Sequence, residues 1–161
     1  LLGNIINPVI SIHQEPKSIS RSESFKEFQT NFNYILEQLN SHIHKVCKKL
    51  RSENLVTDCI SVMLRTKDFQ VSSIKINLLK ATNIEFELMP FAKDALLKLF
   101  KEGIIYRSVG FCAIKLLSAS NIQISLFDNE TTEKRQNLAH SLDKLEEKFG
   151  KGTIRLGAIK K

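Results

Sequence analysis

The chain has 161 residues, a mass of 18.4 kDa and a formal net charge of +7. Its 42% of apolar and 25% of charged residues are typical of a globular protein with one domain, or with one domain and an appendage. No apolar run approaches the roughly 20 residues that a membrane-spanning helix needs, and no signal peptide is evident. The three cysteines are widely spaced, which indicates a reducing compartment and neither a disulfide framework nor a zinc site.

The isoelectric point near 9.4 favours an acidic partner, with nucleic acid ahead of an anionic membrane surface. The excess charge is spread along the chain, and no block of like charge forms a basic tail. If nucleic acid is bound, the fold must therefore gather these charges on one face. Since the chain begins at Leu1 rather than at a methionine, we expect it to be a piece of a longer protein.

Residues 1–15 combine Gly, Asn and Pro with short apolar pieces, which predicts a linker or the end of a preceding domain. The polar residues 17–22 could form a short strand. A continuous apolar stripe at a period of 3.6 residues then predicts a long helix with Thr30 as its N-cap. The stripe consists of Phe28, Phe32, Ile35, Leu36, Leu39, Ile43, Val46, Cys47 and Leu50.

Residues 59–66 and 72–78 alternate between apolar and polar, which predicts two strands of a hairpin. A second helix is expected over 88–102, with Pro90 in its first turn and Gly103 at its end. The alternation of apolar residues over 106–117 predicts a further strand. A third helix is expected over about 130–149, closed by Gly150.

These elements give the order βαββαβ and an α+β fold, in which two helices cover one face of a four-stranded antiparallel sheet, as in ferredoxin-like proteins. The domain is expected over 16–120, followed by a peptide at 121–128 and a C-terminal helix and tail at 129–161. The other face of the sheet would stay polar and open. Its expected residues are Ser61, Met63, Arg65, Ser73, Lys75, Asn77, Ser108, Gly110 and Cys112.

Several segments resemble, in order, the C-terminal little finger domain of Y-family translesion DNA polymerases, most of all bacterial DNA polymerase IV and its UmuC and DinB relatives. They are PKSISRSESF at 16–25, RTKDF at 65–69, YRSVGF at 106–111, QISLFD at 123–128 and DKLEEKFGKGTI at 143–154. Residues 3–9 also resemble the chain that leaves the thumb domain in this family. The ordered set covers nearly the whole chain.

The resemblance implies that the open sheet holds a template–primer duplex in its major groove, mostly by the phosphates. The DNA-binding residues that it implies are Lys17, Ser18, Ser20, Arg21, Arg65, Lys67, Ser73, Lys75, Arg107 and Ser108. The family often has further basic residues at two places on the last strand, where this chain has Ser108 and Cys112, so we expect a weaker grip. The alternative is a solvated sheet face without a ligand.

The QISLF segment resembles the peptide with which this family binds the sliding clamp. Its residues are Gln123, Ile124, Ser125, Leu126 and Phe127. In such a peptide Leu126 and Phe127 would enter an apolar pocket of the clamp, and Gln123 would fix the register by hydrogen bonds. The alternative is an edge strand, since Ile122, Ile124 and Leu126 alternate.

We expect no catalytic residue, metal site or cofactor in this chain. The resemblance places the catalytic carboxylates and their Mg²⁺ in a palm domain upstream, so only the parent protein would be a DNA-directed DNA polymerase. On the first long helix, His42 and His44 point apart, and we expect both to be exposed while Cys47 lies in the core.

The expected partners are DNA and the sliding clamp, without a membrane, for a monomeric fragment in a bacterial cytoplasm. One alternative is a stand-alone sheet module of the RNA-recognition type, but that module needs aromatic residues on its central strands, and none is expected on this open face. Another is the little finger of a catalytically inactive mutasome relative, which only the missing palm sequence could identify.

Overall fold

The structure, a computed structural model, describes residues 18–121 and 129–150. The predicted linker, Lys17 and the QISLF segment lie outside these ranges. The elements, in chain order, are β1 (Ser18–Gln29), α1 (Phe32–Ser52), β2 (Leu55–Thr66), β3 (Val71–Thr82), α2 (Glu85–Leu99), β4 (Tyr106–Ser118) and α3 (Asn129–Phe149).

The four strands form one sheet in the order β1-β4-β2-β3, and every neighbouring pair is antiparallel. Helices α1 and α2 pack on one face of this sheet. The predicted α+β class and the βαββαβ order are confirmed. Because β4 and β2 occupy the centre, the last strand of the domain is the one that joins β1 to the rest of the sheet.

The core lies between the helices and the sheet because the apolar stripe of α1 meets the apolar faces of the two central strands. Ile35, Leu39 and Ile43 of α1 are fully buried. On the sheet they meet alternate residues, since every second side chain of a strand points to the same face. These are Ile60, Val62 and Leu64 on β2 and Val109, Phe111 and Ala113 on β4.

The start of α1 differs from the prediction, because β1 continues to Gln29, where it pairs with Tyr106. Phe28 therefore belongs to the strand and is half exposed, rather than being the first member of the helical stripe. The N-cap is Asn31, not Thr30: its side-chain oxygen accepts hydrogen bonds from the backbone N–H groups of Asn33 at 2.9 Å and Tyr34 at 3.3 Å.

Helix α2 begins three residues earlier than predicted, at Glu85. Pro90 is consequently inside the helix, where it cannot donate a hydrogen bond to the turn before it. Gly103 lies in the turn after the helix, with a φ of 79° that suits glycine. Glu85, the first residue of the helix, has its carboxylate buried in an ion network.

This ion network holds α3 against α1 and α2. Arg51 donates to Glu85 and to Asp143, and Lys48 donates to Glu146 at 2.9 Å. His44 lies between two carboxylates, with Nδ1 3.0 Å from Oε1 of Glu85 and Nε2 3.2 Å from Oε1 of Glu146. The inner face of α3 is thus largely polar, and two leucines of its predicted apolar stripe, Leu138 and Leu145, are exposed.

The network also shifts the titration of its members. The hydrogen bond with Glu85 raises the pKa of His44, against the effect of burial. Burial acts to raise the pKa of Glu85, but the hydrogen bonds from His44 and Arg51 outweigh it and hold this pKa below its usual value. The two carboxylates thus favour the protonated form of His44 more than water does.

His42, in contrast, is buried without a hydrogen-bond partner among the described residues. Burial, with a smaller contribution from Lys45, lowers its pKa to about 4. The expectation that both histidines of α1 are exposed was wrong: His42 is 1% exposed, and the His44 side chain is 19% exposed. Cys47 lies in the core, as expected.

Candidate nucleic-acid interface

The strand register identifies the side chains of the face that α1 and α2 leave open, because residues opposite each other in antiparallel strands point to the same side. Four rows cross the sheet from β1 through β4 and β2 to β3. They are Ser18–Ile114–Cys59–Asn77, Ser20–Cys112–Ser61–Lys75, Ser22–Gly110–Met63–Ser73 and Ser24–Ser108–Arg65–Val71. These positions include two cations and no Asp or Glu.

Four serines of β1 form a line along the open face, and all of them are exposed. Ser18 and Ser20 were predicted as site residues. Ser22 and Ser24 were not, although the alternation of serine with other residues from 18 to 24 was a signal for them. A line of hydroxyl groups at the edge of a sheet can donate to phosphate oxygens at close range.

Arg21 lies on the other side of β1. It pairs with Phe111, whose side chain is in the core beneath the helices, so Arg21 points to the helix side of the edge strand. The structure therefore separates Arg21 from the other predicted residues of the first strand. The reason is the alternation of the strand, which sends residues 18, 20, 22 and 24 to one face and residue 21 to the other.

The centre of the open face is closely packed. A Cβ at Gly110 would lie 2.9 Å from Cε of Met63 and 3.0 Å from Cβ of Ser22, so no larger residue fits there without movement. Ser108 belongs to this face, but it is only 5% exposed. It therefore lies beneath its neighbours rather than at the surface, which the sequence pattern alone did not indicate.

The predicted cations of the open face lie on β2 and β3. Arg65 is half-buried, and its Nε has no hydrogen-bond partner among the described residues. Lys75 is exposed opposite Ser61, and Ser73 is exposed opposite Met63. The unused donor of the Arg65 guanidinium suits an anion with several acceptor oxygens, and the ammonium of Lys75, two rows away on the same face, offers a second, separate positive charge.

The other two predicted cations, Lys67 and Arg107, lie together at the end of the sheet where β2 turns into β3. Arg107 is in a bulge, since β4 has one residue more than β2 between Ser108 and Tyr106. Its Cζ lies 4.8 Å from the ring centre of Phe69 and 6.0 Å from that of Phe28. Lys67 Nζ lies 5.7 Å from the ring centre of Phe28. Neither phenylalanine was among the predicted site residues: Phe28 was assigned to the helical stripe, and Phe69 was noted only within the RTKDF segment.

Within residues 18–121 and 129–150, no group of three or more His, Cys, Asp or Glu could hold a metal ion. In the same part of the chain, no helix has the length and apolarity to cross a membrane. What the open face offers is hydroxyl groups, guanidinium and ammonium groups without a counter-charge. Such a face can bind anions.

Comparison with known proteins agrees with this geometry. Residues 16–126 match the C-terminal domain of the impB/mucB/samB family. Protein UmuC of Salmonella typhimurium is 28% identical over 140 residues, which are 83% of this chain and 33% of UmuC. DNA polymerase IV of Clostridium acetobutylicum is 28% identical over 140 residues, covering 87% of this chain and 35% of the relative. The chain thus spans about a third of these relatives.

Solved structures show the same fold. Dbh DNA polymerase in an insertion ternary complex superimposes with a TM-score of 0.56 at 17% identity, over 62% of this chain and 28% of that one. DinB from Sulfolobus solfataricus gives a TM-score of 0.54 at 17% identity, over 60% and 28%. With the family match over most of its length, the chain belongs to the impB/mucB/samB C-terminal domain family.

Proposed function

We propose that this domain holds the template–primer duplex for a translesion DNA polymerase and docks that polymerase on the sliding clamp. The observation that carries the first part is the open face, where exposed serines and two cations occur without a carboxylate. The parent would supply the palm carboxylates and Mg²⁺ in the cytoplasm of a bacterium. In this proposal the chain itself contributes DNA binding and the positioning of the polymerase on the duplex.

Phosphate contacts fit such a polymerase because they depend little on base sequence or base damage. In this proposal Lys75 and Arg65 each neutralise a phosphate, and the serines of β1 donate hydrogen bonds to the facing strand. Lys67 and Arg107 lie past the last row of the open face, at the hairpin end of the sheet, and would contact phosphates where the DNA leaves that face. Lys17 would continue it before β1, and Arg21 would reach the duplex only around the sheet edge, since it points to the helix side.

Binding of the 161-residue chain to a short blunt duplex tests this grip. Arg65→Met with Lys75→Met removes two charges from the open face, and we expect the affinity to fall at least tenfold at low salt. The slope of log K against log salt should fall by about 0.9 for each lost phosphate contact. The matched control is Lys93→Met with Lys98→Met, which removes two exposed lysines from α2 on the covered side. Equal losses in both pairs would refute a specific role for the open face.

The clamp-docking part concerns Gln123–Phe127, which lie outside the described residues. Its support is the QISLF pattern and its place in the chain, between the end of β4 with its short following turn and the start of α3. Two large apolar residues at the end of a polar segment suit an apolar pocket, where a few buried anchors supply most of the binding energy.

Binding of the chain to the sliding clamp tests the docking peptide. Leu126→Ala with Phe127→Ala is expected to abolish binding, while Leu138→Ala with Leu145→Ala, on the exposed face of α3, should leave it intact. If the first pair binds the clamp as the unchanged chain does, residues 123–127 are a part of the fold and not a docking peptide. The DNA-binding proposal would then depend on the open face alone.

A further inference from the structure

Two exposed aromatic rings stand beside two cations at the hairpin end of the sheet. Phe69 is 62% exposed and Phe28 is 48% exposed, although both are large apolar side chains. They come from the β2–β3 loop and from β1, and Arg107 of β4 lies within cation–π distance of both rings. We call this group of Phe28, Lys67, Phe69 and Arg107 the aromatic–cation patch.

The β2–β3 loop holds Phe69 in this exposed position at a conformational cost. Its φ of 63° is in the left-handed region, which bulky residues rarely adopt. The backbone N–H of Phe69 donates to the carbonyl of Thr66 at 3.1 Å, and that of Gln70 donates to Thr66 Oγ1 at 3.2 Å. A ring kept in solvent by a closed turn, where glycine would be easier, indicates that the ring itself is needed.

We propose that the aromatic–cation patch binds unpaired DNA bases, with the rings of Phe69 and Phe28 stacking on the bases and Lys67 and Arg107 contacting the adjoining phosphates. This proposal rests on the proposed function, because it names the form of DNA that this end of the domain receives. Aromatic rings next to cations are the usual means by which proteins hold single strands without selecting a sequence.

Two arguments favour an unpaired strand over a duplex. Bases inside a duplex stack on each other and present only their edges, so a protein ring reaches a base face only where pairing has ended. In addition, the patch follows directly after the row of Arg65, Ser108 and Ser24, which is the last row of the open face. A duplex lying on that face would end its contact here, where a single strand continues.

The test compares three DNA probes that differ at one end. One is a blunt duplex, one carries a single-stranded 5′ overhang, and one carries an overhang of the same length made of abasic nucleotides. The abasic overhang has the same phosphates but offers no base to stack. For the unchanged 161-residue chain, we expect the normal overhang to bind about tenfold more tightly than the abasic one, in line with the stacking of one or two bases.

The decisive variant combines Phe28→Ala with Phe69→Gly, which removes both rings and leaves both cations. It should bind the normal and the abasic overhang equally, with the affinity for the blunt duplex unchanged. The slope of log K against log salt should also stay the same, because no phosphate contact is lost. The matched control, Phe86→Ala with Phe91→Ala, removes two exposed rings from α2 and should keep the preference for the normal overhang.

Two results would overturn the stacking site. In the first, the unchanged chain binds both overhangs alike. In the second, the loss of both rings weakens binding to the blunt duplex as much as binding to the overhang. Weaker binding to the sliding clamp, with DNA binding unchanged, would count equally against the stacking site, because it would make the patch a protein contact. None of these results affects the duplex-binding test, because that test changes Arg65 and Lys75, which lie outside the patch. The two proposals can therefore fail separately.

Discussion

The side chain of Arg51 holds both carboxylate oxygens of Asp143, with Nε 2.6 Å from Oδ2 and Nη2 2.8 Å from Oδ1. The same guanidinium donates to Glu85 through Nη1 at 3.0 Å and Nη2 at 2.8 Å. One side chain near the end of α1 thus joins the first residue of α2 to the inner face of α3. The attachment of α3 depends on this pairing far more than on apolar contact, since among the hydrophobic residues of α3 whose side chains are described only Ala139 is buried.

Substitution at the two ends of this pair should have unequal effects. Arg51→Met leaves the buried Glu85 carboxylate without its main cation, and we expect a loss of about 3–5 kcal/mol in the free energy of unfolding. Asp143→Asn leaves Arg51 paired with Glu85, so it should mainly release α3. Urea unfolding measures the first effect, and amide hydrogen exchange of α3 measures the second.

The surface pair of Lys49 and Glu53 supplies the control for this prediction. Its atoms are 2.7 Å apart, but Lys49 is 58% exposed. Glu53→Gln should change the free energy of unfolding by less than about 0.5 kcal/mol. If Arg51→Met proves as mild as Glu53→Gln, the network contributes nothing beyond an ordinary surface ion pair.

Attachment of α3 should weaken as the pH rises. The pKa of His44 is raised in the folded chain, mainly by Glu85. Its stabilising contribution is therefore complete below the unfolded value of about 6.5 and is lost as the pH rises through the higher folded pKa. Glu146→Gln should lower the pKa of His44, measured by NMR titration of its ring protons. Glu147→Gln, on the exposed side of α3, is the control and should leave that pKa unchanged.

His42 should have the opposite dependence on pH. Burial lowers its folded pKa to about 4, while the unfolded chain binds a proton near 6.5. Stability is then lost as the pH falls from 6.5 towards 4, by up to about 3 kcal/mol from this group. The titratable groups that act on it are Lys45 on its own helix and Arg21 and Glu23 on β1.

The variant His42→Leu should lose less stability between pH 7 and pH 5 than the unchanged chain does, when both are followed by urea unfolding. The exposed His140→Gln on α3 should follow the unchanged chain. A parallel loss in His42→Leu and the unchanged chain would mean that His42 is hydrated or paired in solution.

The sequence predicted the elements well because their signals are local. The apolar stripe of α1 and the alternation of β2 and β3 are visible in a few consecutive residues, and they specify which face is buried. The errors concern relationships between distant residues. Glu85 can be buried because its carboxylate forms hydrogen bonds with His44 and Arg51, which are 41 and 34 residues away in the sequence. No local sequence pattern shows that pairing. The position of Arg21 on the helix side of β1, in contrast, can be predicted from the alternation of that strand alone.

The close approach at Gly110 gives a prediction about the sheet. Gly110→Ala places a Cβ against Met63 and Ser22, and we expect a loss of about 1–3 kcal/mol in the free energy of unfolding. The end of the Met63 side chain can move away, but Ser22 is fixed because β1 pairs with β4 there. Adding Met63→Ala should therefore recover only part of the loss. Full recovery in the double variant would show that Ser22 does not limit the space.

The backbone of Phe69 gives a prediction that separates strain from the loss of the ring. Phe69→Ala and Phe69→Gly both remove the contact with Arg107, but only glycine adopts a φ of 63° at little cost. We expect the glycine variant to be more stable than the alanine variant by about 1 kcal/mol. At Phe28, where φ is not positive, the order should be reversed, because glycine weakens a strand by about 0.5–1 kcal/mol relative to alanine. Thermal unfolding of the four variants measures both differences. If alanine and glycine are equally stable at position 69, the loop relaxes to another conformation in solution, and the argument that strain holds this ring in place would fail.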